Sequence, residues 1–317
     1  MWKQTVNDVL RRLTGYQVQR AHTVDQMARQ RRARQREVMR LKSQLDLANT
    51  RLARTNVRLD ETTARLDQAK RRLDKARARA RQQRHAVKKA RGMPKHYDDA
   101  AVEILRRVKP RTMTEHGKLF GLVEATRYVV RRGIPGDIVE CGVWRGGSMQ
   151  AVALTLMEQG VTDRRLHLFD TFEGMPPPSE KDRRPQGASA EELLATHDKH
   201  HRIWAIAGLD DVQEGMRETE YPEEQIHFHK GLVEDTVPVH APAQLAILRL
   251  DTDWYESTRH ELEHLFHRLS PGGVLIIDDY GDWDGARQAT DEFMDKLAEP
   301  LLLLPVGSGR LAVKPYV

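Results

Sequence analysis

Two short apolar runs, LAILRL (Leu245–Leu250) and VLIIDD (274–279), flank a stretch of helical spacing, and no other feature constrains the fold as tightly. Continuous apolar runs of this length read as strands buried on both faces, the habit of parallel sheets. Between them Leu262, Leu265, Phe266 and Leu269 share one face of a helix expected over 256–269 and closed by Ser-Pro-Gly-Gly. The expected unit is βαβ, which places the chain in the α/β class. In an open α/β sheet, ligands bind beyond the carboxyl ends of the strands. Asp251, Asp278 and Asp279 fall at such ends. Strand-end aspartates also cap helices or pair with arginines, but three at neighbouring ends favour a bound cation. An all-oxygen set suits magnesium, calcium or manganese better than zinc.

A second constellation lies upstream. GDIVECGVWRGGSMQAVALTL reads as a strand (138–141), a turn holding Gly142, Gly146 and Gly147, and a helix (148–157). Glycines there let a ligand approach the backbone, and the helix N-terminus offers free N–H groups to a carboxylate or phosphate. The next strand, LHLFD (Leu166–Asp170), ends in an acid, the usual partner of ribose hydroxyls. Such a turn serves NAD, flavin and S-adenosylmethionine enzymes alike. Its GxxxGG spacing departs from GxGxxG and argues against a dinucleotide.

GDIVECGVWRGGS, LFDTFEGMPPP, KGLVEDTVP, LRLDTDWYESTRHELEHLFHRLSPGGVLIIDDYGD and RTMTEHGKLFGLVEATRYVVRRGIPGD together resemble the macrocin O-methyltransferase family, from about Ile104 to the C-terminus. The resemblance implies a class I methyltransferase fold, dependence on S-adenosylmethionine and magnesium, and methylation of a sugar hydroxyl. It implies metal ligands at Asp251, Asp278 and Asp279. Glu140, Gly142, Arg145, Gly146 and Ser148 would line the methionine part of the cofactor, Asp170 its ribose, and Gly231, Leu232 and Glu234 its adenine. Family members often carry an aromatic residue where Leu232 stands. Some metal-dependent relatives are expected to use a histidine as base shortly after the paired carboxylates. Tyr280-Gly281-Asp282 stands here instead, leaving Asp251 or Asp282 as the expected base. The stretch after the second strand, rich in Pro, Ser and charge, is expected to form a mobile lid and a short helix. His197, His200 and His201 read as solvated rather than metal-binding.

The first third is a different object. Every seventh residue from Val24 gives Val24, Arg31, Val38, Leu45, Leu52, Leu59, Leu66, Leu73, Ala80 and Val87, with Leu41, Ala48, Thr55, Thr62, Ala69 and Ala76 in a second seam. No Gly or Pro interrupts 17–91. A single helix of about 110 Å is expected at about 1.5 Å per residue, self-associating as a coiled coil. The expected division is an amphipathic segment over 1–17 built on Trp2, Val6, Leu10 and Leu13, a basic coiled coil over 18–92, and a methyltransferase domain over 93–317. That domain is expected to hold a seven-stranded sheet, mostly parallel, ending in an antiparallel pair over 301–305 and 310–315.

Charge separates the parts. Residues 1–92 carry 26 Lys and Arg against 8 Asp and Glu, whereas 93–317 carry 26 against 38. A basic arm can contact nucleic acid, an anionic surface or an acidic polymer. No Phe, Trp or Tyr lies between Tyr16 and Tyr97, which argues against base stacking by the arm. LDTDWYES lacks the Asn/Asp-Pro-Pro-aromatic motif of base N-methylation, so a nucleic-acid methyltransferase is the weaker alternative. A coiled-coil scaffold with a non-catalytic domain is another, against which the intact acidic set and Gly-rich turn argue. Cys141 is the single cysteine and falls in an expected core strand, so no disulfide framework exists. No stretch is apolar enough for a signal peptide or a membrane span, and a cytoplasmic enzyme with a small-molecule or glycan acceptor is expected.

Overall fold

The computed structural model describes residues 93–199 and 201–316, and of the preceding chain the run 34–56 with shorter pieces between residues 5 and 70. Two compact units are formed, Met1–Gly92 and Met93–Val317. In the first unit, helix α1 is continuous over 34–56. Thr50, Thr55 and Thr62 return their hydroxyls to the carbonyl four residues back, at 2.8–2.9 Å. That local bond lets polar residues sit in a helix interior without leaving the hydroxyl unsatisfied. The seam leucines Leu41, Leu45, Leu52, Leu59 and Leu66 are 56–62% exposed in the single chain. Trp2, Leu10, Val24, Ala69, Leu73, Ala76, Ala80 and Val87 lie outside the described residues, as does His200.

The second unit runs α2 (Asp99–Val108), α3 (His116–Arg131), β1 (Asp137–Cys141), α4 (Gly147–Glu158), β2 (Leu166–Asp170), α5 (Ala190–Thr196), α6 (Leu209–Arg217), β3 (Ile226–Lys230), α7 (Val233–Thr236), β4 (Leu245–Leu250), α8 (Tyr255–Leu265), β5 (Leu269–Ile277), α9 (Asp284–Met294), β6 (Leu304–Val306) and β7 (Gly309–Val313). The strands form one sheet in the order β3-β2-β1-β4-β5-β7-β6. The first five are parallel, and β7 turns antiparallel to both β5 and β6. The order reverses between β1 and β4, the kind of crevice where open sheets place ligands.

Both sheet faces are covered, which is why β4 is buried at all six positions. Ile138, Leu168, Ile247 and Ile276 pack with Leu122, Val129, Val152 and Leu156 on one side. On the other, Val139, Phe169, Leu248 and Leu275 pack with Leu262, Leu265 and Phe266.

The boundaries that differ most from the sequence reading lie around β5, which ends at Ile277 and not at Asp279, and in the last hairpin. The connecting helix stops at Leu265, and Phe266–Arg268 tighten into a 3-10 turn. Ser270-Pro271-Gly272-Gly273 then belongs to β5 instead of a loop. Leu269 already pairs with Leu245, and the register jumps before Ile247 meets Val274, so Pro271 sits at an irregularity where its missing N–H costs the ladder little. The last hairpin is tighter than 301–305 and 310–315 suggested. Gly307 at φ 63° closes a two-residue turn, and 301–303 lie outside β6.

Candidate active site

The carboxyl ends of β1, β2, β4 and β5 open into a cavity of about 490 Å³, within the range of small-molecule sites. Three aspartates converge at its wall. Asp251 follows β4, and Asp278 and Asp279 follow β5. One oxygen from each lies within 4.8 Å of the others. Backbone pairing holds them there: the Asp251 N–H donates to the Cys141 carbonyl at 2.8 Å and the Asp278 N–H to that of Leu250 at 2.9 Å.

Beneath them lies Arg249, 2% exposed and directly opposite Glu140 in the β1–β4 register. Its Nη1 donates to Glu140 and, at 2.7 Å, to Asp251 Oδ2. Its Nη2 donates to Asp278 Oδ1 at 2.6 Å and to the Thr114 hydroxyl at 3.1 Å. From α3, Lys118 Nζ reaches Asp278 Oδ2 at 2.9 Å, the Asp278 carbonyl at 2.8 Å and Asp282 Oδ2 at 3.0 Å. Asp282 also accepts from the Ser308 hydroxyl at 2.6 Å.

These contacts divide the acids. Burial opposes the charge on Asp278, but Arg249 and Lys118 outweigh it and hold the carboxyl below its ordinary value. Burial pushes Asp251 well up against the pull of Arg249, helped by Asp278 and Asp279. Asp279 is pushed up by burial and by the charges of Asp253 and Asp278. Glu140 rises to about 7, chiefly through burial, with Arg249 opposing. Excess negative charge on a cavity wall is what a divalent cation relieves, and the donors are all hard oxygens, so the residues fit magnesium.

The Gly-rich turn forms the neighbouring wall. Gly142 takes φ 82°, and a Cβ there would stand 2.1 Å from the Asp251 carbonyl oxygen, so only glycine lets the β1 and β4 ends close together. Gly146 at φ 79° starts α4. The Asp170 carboxylate accepts N–H groups of Val143 at 2.7 Å, Trp144 at 3.0 Å and Phe172 at 2.6 Å. It braces the turn from the end of β2 while still facing the cavity.

Of the residues expected from sequence, Gly142, Ser148, Asp170, Gly231, Leu232, Glu234, Asp251, Asp278, Asp279 and Asp282 line this cavity. Glu140, Arg145 and Gly146 do not. Glu140 is fully buried behind the wall on Arg249. Arg145 instead forms a two-pronged pair with Asp211, at 2.7 and 2.8 Å, because that carboxylate from α6 offers matching geometry. Glu234 accepts the Ser257 hydroxyl at 2.8 Å. The expected lid does contribute wall residues, Arg184, Arg202 and Ile203 among them. It is tied to α8 through buried Asp182, which accepts the Tyr255 N–H at 2.7 Å. His197 bonds the Leu193 carbonyl, and among the described residues the three aspartates are the one group of three or more whose placement could hold a metal ion.

The sequence reading missed Lys118, Thr114, Arg249 and Asp253. Arg249 had a visible signal, a charge inside an apolar run that has to find buried partners. Asp253 sits at φ 66°, its N–H donating to Asp279 Oδ2 at 3.1 Å, and burial and Asp251 push its carboxyl up to about 7. Lys118 carries no local signal at all.

The strand order with its antiparallel last pair, the Gly-rich turn after β1 and the acid closing β2 are those of the class I methyltransferase fold. The macrocin-O-methyltransferase (TylF) family model matches residues 41–304, and the chain belongs to that family. The match begins inside the arm, well before Ile104. The chain is 35% identical, over 60% of its length and 70% of the relative's, to the 8-demethyl-8-(2,3-dimethoxy-alpha-L-rhamnosyl)-tetracenomycin-C 4'-O-methyltransferase of Streptomyces olivaceus. It is 34% identical to the mycinamicin III 3''-O-methyltransferase of Micromonospora griseorubida, over 58% of this chain and 70% of that one. The structure of the O-methyltransferase NovP superposes with a TM-score of 0.57 at 30% identity, covering 65% of this chain and 83% of that one.

Proposed function

We propose that the protein methylates a sugar hydroxyl of a glycosylated natural product or glycan, with magnesium held by Asp251, Asp278 and Asp279. The observation that carries this reading is the convergence of those carboxylates on the cavity that Gly142, Ser148 and Asp170 also line. A relative named for a rhamnosyl-bearing tetracenomycin supports the choice of a sugar.

When bound, magnesium would lower the pKa of an acceptor hydroxyl and fix its orientation. S-adenosylmethionine supplies an already electrophilic methyl carbon, so the protein's task is alignment and proton removal. Gly142 and Ser148 are assigned to the methionine part, Asp170 to the ribose, and Gly231, Leu232 and Glu234 to the adenine, while Glu140 is buried on Arg249 behind them. Each commits only its Oδ2, Asp251 to the Arg249 guanidinium and Asp282 to Lys118 and the Ser308 hydroxyl together, so Asp282 carries one contact more. Asp251 is therefore the favoured proton acceptor, with Asp253 beside it on the wall and Asp282 the more committed alternative. The arm is proposed to self-associate as a coiled coil, its basic face being available to an anionic surface or polymer.

The test is calorimetric binding of S-adenosylmethionine, followed by S-adenosylhomocysteine release with magnesium and a panel of deoxysugar and glycan acceptors. Magnesium-dependent release that Asp278→Ala loses while still binding S-adenosylmethionine is the expected result. Release unaffected by chelator and by Asp278→Ala would remove the metal from the reading.

A further inference from the structure

We propose that Lys118 is a displaceable counter-cation that occupies Asp278 and yields it to the divalent ion, so that ion binding is weak and exchangeable by construction. The proposal rests on the magnesium reading above. Its observation is the state of Asp278, which has no free carboxylate oxygen: Oδ1 receives Arg249 at 2.6 Å and Oδ2 receives Lys118 at 2.9 Å. An ion entering between the three aspartates therefore competes with a positive charge already seated on one of them.

The two cations are not equivalent. Arg249 is pinned by four partners at once, its side chain 3% exposed, and a planar fork set in that way cannot leave one carboxylate without breaking the others. Lys118 is a point charge on a flexible stem, and its second carboxylate is already in place. Asp282 Oδ2 lies 3.0 Å from Nζ, and this aspartate is more open to solvent, its side chain 38% exposed against 7% for Asp278. Swinging toward Asp282 frees Asp278 Oδ2 for the ion while the ammonium keeps an ion pair, and its bond to the Asp278 carbonyl at 2.8 Å restrains the movement. The ammonium thus keeps a carboxylate partner in both states, and neither leaves a bare buried charge.

The test is a manganese titration of the full-length protein at pH 8 without cofactor or acceptor, read by calorimetry and by loss of the free-ion electron paramagnetic resonance signal. Lys118→Met should bind manganese at least tenfold more tightly than the wild type. Lys118→Arg, which keeps the charge, should stay within about threefold of wild type. Asp282→Asn, which removes the alternative seat, should bind more weakly than wild type. Equal or weaker binding by a folded Lys118→Met would overturn the counter-cation and leave the magnesium reading standing. Absence of binding in the wild type and in every variant would overturn both. If Lys118→Met fails to fold, the Asp282→Asn result decides, and unchanged affinity there overturns the proposal.

Discussion

Replacing Arg249 by Met would strand Glu140, Asp251 and Asp278 in a buried site without the guanidinium that bonds all three. Breaking a buried pair from one side costs about 3–5 kcal/mol, so the urea midpoint should fall steeply at pH 8. Each of those carboxyls has a pKa that Arg249 now pulls down. Without it Glu140 and Asp251, already raised, move further above their unfolded values, and Asp278 rises from below its own. The stability they contribute is then present at low pH and lost as pH rises, so the variant's deficit should be smaller at pH 5 than at pH 8. A deficit independent of pH would mean that lost packing, not stranded charge, dominates. At this scale the sequence exposed the acids well, because a strand end fixes where Asp251 and Asp278 point. It exposed their counter-charges poorly. Glu140 faces Arg249 only through the pairing of β1 with β4, and Lys118 arrives from a helix whose face is set by packing across the whole unit.

The outer strands β2 and β3 carry a row of imidazoles that no mechanism uses. His167 Nδ1 lies 3.1 Å from His229 Nε2, and its other nitrogen lies 3.2 Å from Asp137 Oδ2. His229 also stacks on Phe169 and His240, with ring centres 4.3 and 5.3 Å away. Burial, then His167, His240 and His227, lower its pKa from 6.5 to about 4. Between those values the unfolded chain binds a proton that the folded one refuses, so stability falls as pH falls from about 6.5 toward about 4. His229→Phe keeps the stacking and removes the proton. Urea midpoints between pH 7 and pH 4.5 should therefore decline less steeply in the variant than in wild type, and identical slopes would sink the assignment. Strands were the most legible elements, since unbroken apolar runs leave few options, and β2 and β4 match their expected bounds. The start of β5 was not, because Ser-Pro-Gly-Gly spells a loop locally and becomes strand only when Leu269 finds Leu245.

The whole molecule joins an acidic catalytic unit to a strongly basic arm, and whether the arm self-associates as proposed depends on two opposing terms. The seam leucines are left bare in one chain, and a heptad sustained over many turns buries them only against another helix. Were two arms to pair in parallel and in register along the seams through Val38 and Leu41, Glu37 would face Lys42, which attract, but Arg65 would face Lys70 and Arg72 would face Arg77, which repel. Exposed charges within a Debye length of one another are screened by salt, and that length shrinks from about 10 Å at 0.1 M to about 3 Å at 1 M. Apolar burial is not weakened in the same way. Association of the full-length protein should therefore tighten as sodium chloride rises from 0.05 to 0.5 M, approximate concentrations that span most of the change in screening. Sedimentation equilibrium would show the mass climbing with salt, and replacing Leu45, Leu52 and Leu59 together by Ser should abolish the climb. A mass that falls with salt would instead place the contact between basic arm and acidic catalytic unit of different chains, where attraction rather than repulsion is being screened. A mass unaffected by salt and by the serine substitutions would remove the arm from assembly altogether.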